Sequence, residues 1–284
     1  MAQVLVNSLF DASLILLVAL GFSLVYRTAR FFHLGHGATF AVGGYVTYLL
    51  LFLGSNIAFA LIVAGLIGGL CGFAMEGFLY KRLRRRRSSS LIYLIASLGV
   101  LLVVQNLLAL LFGSETHVLQ IPEALESSTR LSGALFTNAQ VMIVAVAIAL
   151  VSLLFVFLKT RMGLFLRSLS DNPFLARAMG IDVDRMMLAV FGIGSFLAAV
   201  AGGLTGMETT IRPAMGFSGT LYAMLACIMG GMGNLAGTIV GSVLLGVARS
   251  ASVTFIAPEW RDSIALMVVL ILLFVKPGGI IRSS

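Results

Sequence analysis

The sequence predicts an all-α membrane protein, a polytopic helical bundle with about eight membrane segments. Hydrophobic residues make up 60% of its 284 residues and charged residues only 11%, with a mean hydropathy of +1.07. These values lie outside the range of ordinary soluble domains. Several apolar runs also reach the roughly 20 residues that a helix needs to cross hydrocarbon. The runs are continuous and do not alternate every second residue, which excludes a membrane β-barrel.

The apolar runs follow one another without an intervening linker or low-complexity stretch, so we expect one transmembrane domain over 1–284. The first run has no Lys or Arg before it and no small-residue cleavage site after it, which favours a retained span over a secretory signal. A broken or re-entrant pair is expected near 218–250, because Gly230-Gly-Met-Gly-Asn234 interrupts the helical pattern. The single segments lie near 4–26, 33–53, 57–80, 91–112, 138–158, 186–207 and 259–275, and the pair lies near 218–231 and 234–250.

The net charge of +8 reflects topology and does not indicate a nucleic-acid partner. Most basic residues lie in four connecting or terminal segments that can all face the cytoplasm at once. The connection 113–137 instead carries three glutamates against one arginine. The positive-inside rule therefore places the N-terminus outside and the C-terminus inside. The four basic segments are Arg27 with Arg30, the run 81–87, the connection 159–185, and Lys276 with Arg282.

A polar connection, 159–185, interrupts the apolar sequence and predicts a short capped helix on the inner membrane face. Asn172 or Ser170 offers an N-cap oxygen, and Pro173 fits the first turn, where its missing N–H costs no hydrogen bond. Gly180 can adopt the left-handed conformation that ends a helix. About two helical turns are marginal in water, so this helix is expected to be docked against something.

Two glycine-rich stretches are candidates for lining a translocation path. Broken backbone at membrane depth is tolerated only where protein buries it or water lines it, so a re-entrant packing element is the alternative. The stretch 35–44 also resembles 233–242 weakly, as in transporters whose substrate path lies between internal repeats. The candidate path residues are His36, Gly37, Gly231, Gly233 and Asn234.

The histidines and cysteines do not predict a metal site. His33 and His36 lie close together, but His117 is expected on the opposite membrane face, and a metal needs more ligands within reach. We expect the two imidazoles to bond to backbone groups or to face a polar cavity. Cys71 and Cys227 lie in apolar runs, where cysteine behaves as a small hydrophobe.

Placing an ionised side chain inside an apolar membrane segment costs free energy unless the charge is paired. The sequence offers three candidate pairings. Asp11 and Arg249 both fall toward the outer side and could form an ion pair. The charge of Glu76 is most simply paired with the basic run that starts at Lys81. Glu208 and Arg212 stand four residues apart, the spacing of a helical salt bridge.

Catalytic motifs are missing from the sequence. It contains no Gly-x-Ser-x-Gly elbow, no His-Glu-x-x-His and no phosphate loop, which argues against an enzyme. Acidic residues in mid-span are nearly absent, and proton- or sodium-coupled transport usually requires them. Energy for transport is therefore expected to come from a partner protein.

The connection 159–185 and several glycine-rich stretches are similar to the permeases of the bacterial branched-chain amino acid ABC importers. The matching stretches keep their order from the first span to the C-terminus. They are Phe32-His-Leu-Gly-His-Gly37, 170–185, 192–203, 229–246, Ala257-Pro-Glu-Trp-Arg-Asp262, and Lys276-Pro-Gly-Gly279.

The resemblance implies that the short helix in 159–185 is a coupling helix, which docks into a groove on a cytoplasmic ATPase. It further implies two ABC ATPase subunits and an extracytoplasmic solute-binding protein. A second permease is also implied, as a heterodimer or, alternatively, a homodimer. No cofactor is expected, because the ATPases bind ATP. The implied coupling residues are Asn172, Pro173, Phe174, Arg177, Ala178, Met179 and Gly180.

The predicted function is that of a multi-pass permease subunit of the bacterial inner membrane, importing branched-chain or other hydrophobic amino acids. Related permeases are similar while carrying urea or short amides, so these solutes remain an alternative. An ATPase-independent channel or facilitator would use the same broken helices. A membrane scaffold without transport is a further alternative.

Overall fold

The computed structural model describes residues 2–131 and 133–281, so Arg282 lies outside the described residues. Nearly every expected apolar segment forms a helix, and six of the described helices are long and apolar enough to cross a membrane. The helices are α1 (Ala2–Ala29), α2 (His36–Phe52), α3 (Ile57–Ala74), α4 (Lys81–Arg85), α5 (Ser90–Phe112), α6 (Glu123–Glu126), α7 (Asn138–Lys159), α8 (Arg161–Asp171), α9 (Pro173–Ala178), α10 (Val183–Glu208), α11 (Met215–Gly230), α12 (Leu235–Phe255) and α13 (Arg261–Val275).

Helices α1 and α10 form the centre of the bundle, since most of their apolar windows are buried. Helices α5 and α7 lie at its edge and expose most of their length. Exposed leucine, isoleucine and valine side chains on these edge helices face outward. Such surfaces are stable in hydrocarbon and not in water, so the burial pattern agrees with a multi-pass membrane protein.

Helices α2 and α10 cross with their backbones in contact. A Cβ atom on Gly202 would overlap the carbonyl oxygen of Phe40, and one on Gly43 would overlap the backbone of Ala199. Small residues let membrane helices approach this closely, and packing replaces the missing hydrophobic driving force. The crossing therefore requires glycine on both helices.

The expected broken pair is present as two helices, α11 and α12, joined by a four-residue turn. Gly231 and Gly233 in the turn have φ values of +109° and +79°, which a residue with a side chain rarely adopts. Asn234 caps α12, because its side chain accepts a hydrogen bond from the backbone N–H of Gly237 at 3.0 Å. The turn lies close to Arg27 at the end of α1.

Three local features differ from the sequence-based expectation. The connection 113–137 contains an antiparallel hairpin of β1 (Ser128–Leu131) and β2 (Ala134–Thr137). The segment expected to end at 80 stays helical beyond it. Helix α3 is followed by a π-helical turn, Met75–Tyr80, which leads directly into α4. The polar connection holds two helices, α8 and α9, instead of one. Helix α8 was missed because its apolar residues share one face of an otherwise polar segment.

The two ends of the bundle differ in their charged residues. We call the end that holds Arg27, Arg84 and the turn 231–234 the basic end. The opposite end holds Asp11, Arg249 and Arg261, which line a cavity described below. We call it the cavity end. Helix α1 reaches both ends, because Arg27 lies in its last turn and Asp11 in its first half.

Candidate functional site

Helix α9 at the basic end begins and ends as the sequence predicts. The Asn172 Oδ1 atom accepts hydrogen bonds from the backbone N–H groups of Phe174 and Leu175, at 3.0 and 3.1 Å. Pro173 occupies the first helical position, and Gly180 has a φ of +82° just beyond the end. Ser170, the other N-cap candidate, lies inside α8, and its hydroxyl donates to the Leu166 carbonyl.

The outer face of α9 is apolar and uncovered. Phe174 is 81% exposed, and Leu175 and Met179 are also largely exposed, whereas Ala176 on the inner face is fully buried. Arg177 and Ala178 are exposed beside them. Clustered exposed apolar side chains at a polar end of a protein mark an interaction surface. Leu175 belongs to this surface and was not among the predicted coupling residues.

The segment that holds α9 is fastened to the end of α1. The Arg30 guanidinium donates a hydrogen bond to the Ser170 carbonyl at 2.9 Å. Arg27 lies 3.9 Å from the Asp171 carboxylate. Both contacts sit immediately before Asn172, the residue that caps α9.

An ion network around one buried carboxylate fastens the other side of this segment, where α10 begins. Glu76, in the π-helical turn, has a side chain only 1% exposed and pairs with Arg84 at 2.5 Å. Arg84 also contacts Asp184 at 3.0 Å, and Lys81 contacts Asp184 at 3.1 Å. The basic run does neutralise Glu76, as expected, although the residue that does so is Arg84.

We predict that Arg84→Ala destabilises the protein by about 3 kcal/mol, because removing one partner leaves the other charge buried without compensation. The measurement is the midpoint of thermal unfolding in detergent. Arg86→Ala is the matched control, since Arg86 is exposed in the same basic run. Adding Glu76→Gln to Arg84→Ala should recover part of the loss. Equal midpoints for Arg84→Ala and Arg86→Ala would contradict the importance of the network.

The five predicted path residues are divided between two places. His36 is fully buried and its Nε2 atom lies 3.1 Å from the Val18 carbonyl, which confirms the expected bond to backbone. Gly37 packs against the backbone of Gly216. Gly231, Gly233 and Asn234 form the turn at the basic end. Their role in lining a path stays a prediction. The other imidazole of this region, His33, contacts the Tyr80 hydroxyl at 3.1 Å.

A cavity of about 550 Å³ lies at the cavity end, between α1, α10, α11, α12 and the start of α13. None of the five predicted path residues is among its described lining. Its lining combines apolar side chains with six charged groups. Those charged groups are Asp11, Glu208, Arg212, Arg249, Arg261 and Asp262.

The ion pairs of this cavity correct one prediction. Asp11 pairs with Arg261 through both carboxylate oxygens and not with Arg249. Arg249 lies 3.6 Å from Asp262 and places its guanidinium over the Tyr222 ring, 4.0 Å from the ring centre. The start of α13 brings Arg261 and Asp262 beside α1 and α12, and this arrangement decides both pairs.

The predicted helical salt bridge between Glu208 and Arg212 was also wrong. Helix α10 ends at Glu208, so Arg212 does not lie one turn further along the same helix. Glu208 instead accepts a hydrogen bond from the Gln140 side chain at 3.3 Å. Gln140 is held in place by the capping box at the start of α7.

Comparison with known families accounts for this architecture. Residues 4–273 match the family described as "Branched-chain amino acid transport system / permease component". The chain belongs to this family. The permease is accordingly a transport subunit and a multi-pass membrane protein.

Individual relatives support the assignment along the whole permease. It is 29% identical to the high-affinity branched-chain amino acid transport system permease protein LivH of Salmonella typhimurium, over 98% of this chain and 94% of LivH. It is 27% identical to the fructose import permease protein FruF of Bifidobacterium longum, over 89% of this chain and 71% of FruF. In the structure of PsaBC from Streptococcus pneumoniae in complex with Fab, one chain matches with a TM-score of 0.52 and 18% identity, covering 96% of this chain and 91% of that one.

The sequence contained a signal for the charged cavity of the permease that was not used. Arg212, Arg249 and Arg261 lie on the side expected outside, against the charge bias that otherwise sets the topology. Basic residues on the disfavoured side need another reason to be there. In the permease they are gathered around one cavity.

Proposed function

We propose that this permease is a subunit of an ATP-driven ABC importer that carries branched-chain or other hydrophobic amino acids. The observation that carries the proposal is the uncovered apolar face of α9, fastened to α1 and α10 at the basic end. A face of this kind suits docking to a soluble partner and not to lipid, because Asp171, Arg177 and Asp182 surround it.

The proposed assembly contains two cytoplasmic ABC ATPases, a second homologous permease and an extracytoplasmic solute-binding protein. The basic end faces the cytoplasm, which puts the N-terminus outside and the C-terminus inside. The permease has no cofactor of its own, since the ATPases bind and hydrolyse ATP. The second permease is a different chain in a heterodimer, with a homodimer as the alternative.

The contacts around α9 suggest how work from the ATPases reaches the membrane. Closure of the two ATPases moves the docked α9. Arg30 and Arg27 pass that displacement to α1, and Asp184 passes it through Arg84 to the helix that contains Glu76. These helices then move as rigid bodies between outward- and inward-facing states.

Fructose is a second candidate solute, favoured by the likeness to FruF over 89% of this chain. Urea and short amides remain further alternatives. The charged lining of the cavity supports amino acids over these neutral solutes, because an amino acid offers both a carboxylate and an ammonium group for charge-assisted hydrogen bonds.

The test is uptake into proteoliposomes that contain the complete complex and its binding protein, with ATP or ADP inside. We expect uptake of labelled L-leucine with ATP, none with ADP, and no uptake of fructose or urea. Uptake that persists when the ATPases are omitted would establish a facilitator and overturn the proposal. Uptake of fructose or urea in place of leucine would overturn the assigned solute.

A further inference from the structure

We propose that the cavity between α1, α10, α11, α12 and the start of α13 is a binding site for a zwitterionic aliphatic amino acid. The charged lining would hold the α-carboxylate and α-ammonium groups, and the apolar floor would hold the side chain. The inference deepens the proposed function and rests on it for the identity of the solute.

The charges of the lining are balanced. Three carboxylates, on Asp11, Glu208 and Asp262, face three guanidinium groups, on Arg212, Arg249 and Arg261. A cavity with an excess of one sign would attract an ion of the other sign. A balanced set instead suits a ligand that carries both charges and no net charge, as an α-amino acid does.

Both central arginines retain unused hydrogen-bonding capacity. The Nε atoms of Arg249 and Arg261 are buried and have no hydrogen-bond partner among the described residues. The contact between Arg249 and Asp262 is 3.6 Å, longer than a hydrogen bond. Guanidinium groups bind carboxylates with two parallel hydrogen bonds, so a ligand carboxylate would supply acceptors once these groups turn toward it.

Two carboxylates of the lining are available to attract the ammonium group. The Asp11 side chain is only 16% exposed, and it is held by Arg261. Among the described residues Glu208 accepts one side-chain hydrogen bond, from the Gln140 amide. A ligand ammonium would be attracted to the carboxylates of Asp11 and Glu208 together.

The lining changes from polar to apolar with depth along a single face of α1. Asn7 and Asp11 are followed on that face by Leu14, Ile15 and Val18, at helical spacing. Val18 lies deepest, next to the buried His36. A zwitterion whose charged groups sit at the level of Asp11 would direct an aliphatic side chain toward this floor.

The size and position of the cavity agree with a solute site. Its volume of about 550 Å³ falls within the usual range for small-molecule pockets. It lies at the cavity end, away from α9, and the proposed topology places the cavity end outside. A solute released by an extracytoplasmic binding protein would meet this cavity first.

The experiment measures equilibrium binding of labelled L-leucine, L-isoleucine and L-valine to the assembled complex in lipid nanodiscs, without ATP or binding protein. We expect saturable binding. Unlabelled L-leucine should compete, whereas leucinamide, which lacks the carboxylate, and 4-methylpentanoate, which lacks the ammonium, should compete at least tenfold less well. Fructose should not compete.

The matched variants neutralise one ion pair without leaving an orphaned charge. Asp11→Asn together with Arg261→Gln should weaken binding of the amino acids at least tenfold, while co-purification of the ATPases, which reports folding and docking, stays unchanged. Arg249→Lys keeps the charge but loses the two parallel N–H donors of the guanidinium group, and it should weaken binding by a smaller factor. Arg86→Ala, in the exposed basic run, should leave binding as in the wild type.

The cavity assignment is overturned if the neutralised pair binds the three amino acids as tightly as the wild type, or if leucinamide and 4-methylpentanoate compete as well as leucine. It is also overturned if the wild-type complex imports leucine but holds none in this assay, and the proposed function then stands. If the complex binds leucine in the cavity but transports it without ATP, the proposed function fails and the cavity assignment stands.

Discussion

Phe174→Asp is expected to abolish ATP-driven uptake and co-purification of the ATPases, while the permease still inserts and folds. The side chain is 81% exposed, so its own chain loses little packing when it is replaced. A buried aromatic anchor at a protein interface contributes about 2–4 kcal/mol, which is roughly a 30- to 1,000-fold loss of affinity. A carboxylate placed in an apolar groove would add the cost of its desolvation.

The measurement is the amount of ATPase retained on the affinity-purified permease, followed by uptake in proteoliposomes. Phe174→Leu keeps an apolar side chain at the same place and should retain most of both activities. Gel filtration of the Phe174→Asp variant reports whether it remains folded. Normal uptake by a folded Phe174→Asp variant would exclude α9 as the coupling helix.

Gly202→Leu is expected to prevent accumulation of folded permease. The first atom of the new side chain would overlap the Phe40 carbonyl, and backbone cannot move aside as a flexible side chain does. Overpacking of an ordinary core costs about 1–3 kcal/mol, and a clash with backbone at a helix crossing costs more. Separation of α2 from α10 would relieve the clash only by exposing the buried residues between them.

The control for this substitution is Gly99→Leu on the edge helix α5. Among the described residues, nothing beyond the adjacent residues and the backbone of α5 itself lies within 4 Å of a Cβ atom built there, so the same change meets open space. Fluorescence-detected gel filtration of the two variants compares the yield of monodisperse protein. If Gly202→Leu gave the yield of Gly99→Leu, the tight crossing of α2 and α10 would be wrong.

Local features of the coupling segment were predictable because they depend on neighbouring residues. Asn172 specifies the start of α9 through its side-chain cap, and Pro173 and Gly180 specify its first turn and its end through their backbone conformations. Apolar runs likewise specify the membrane helices through length and hydropathy. Helix α8 was missed because a helix with one apolar face resembles a polar loop when only its composition is considered.

The ion pairs could not be predicted with the same confidence, because they join residues far apart in the chain. Asp11 and Arg261 are separated by 250 positions, and Arg249 was an equally suitable partner by charge and expected depth. The choice depends on how the start of α13 packs against α1 and α12. Acidic residues are nearly absent from the middle of each span, as the sequence indicates. In the folded bundle, however, charged residues from different segments meet in one cavity.

Helix α1 spans 28 residues, about 42 Å, and contains no proline. Its last turn carries Arg27, which lies near Asp171 at the start of the segment that holds α9, and its first half carries Asp11, which lines the cavity. A continuous helix without proline lacks the commonest site of a sharp kink between these two contacts. Under the proposed function, a tilt of α1 imposed by the ATPases at one end would change the spacing of the charged groups at the other, so release of the solute and closure of the ATPases would be one movement.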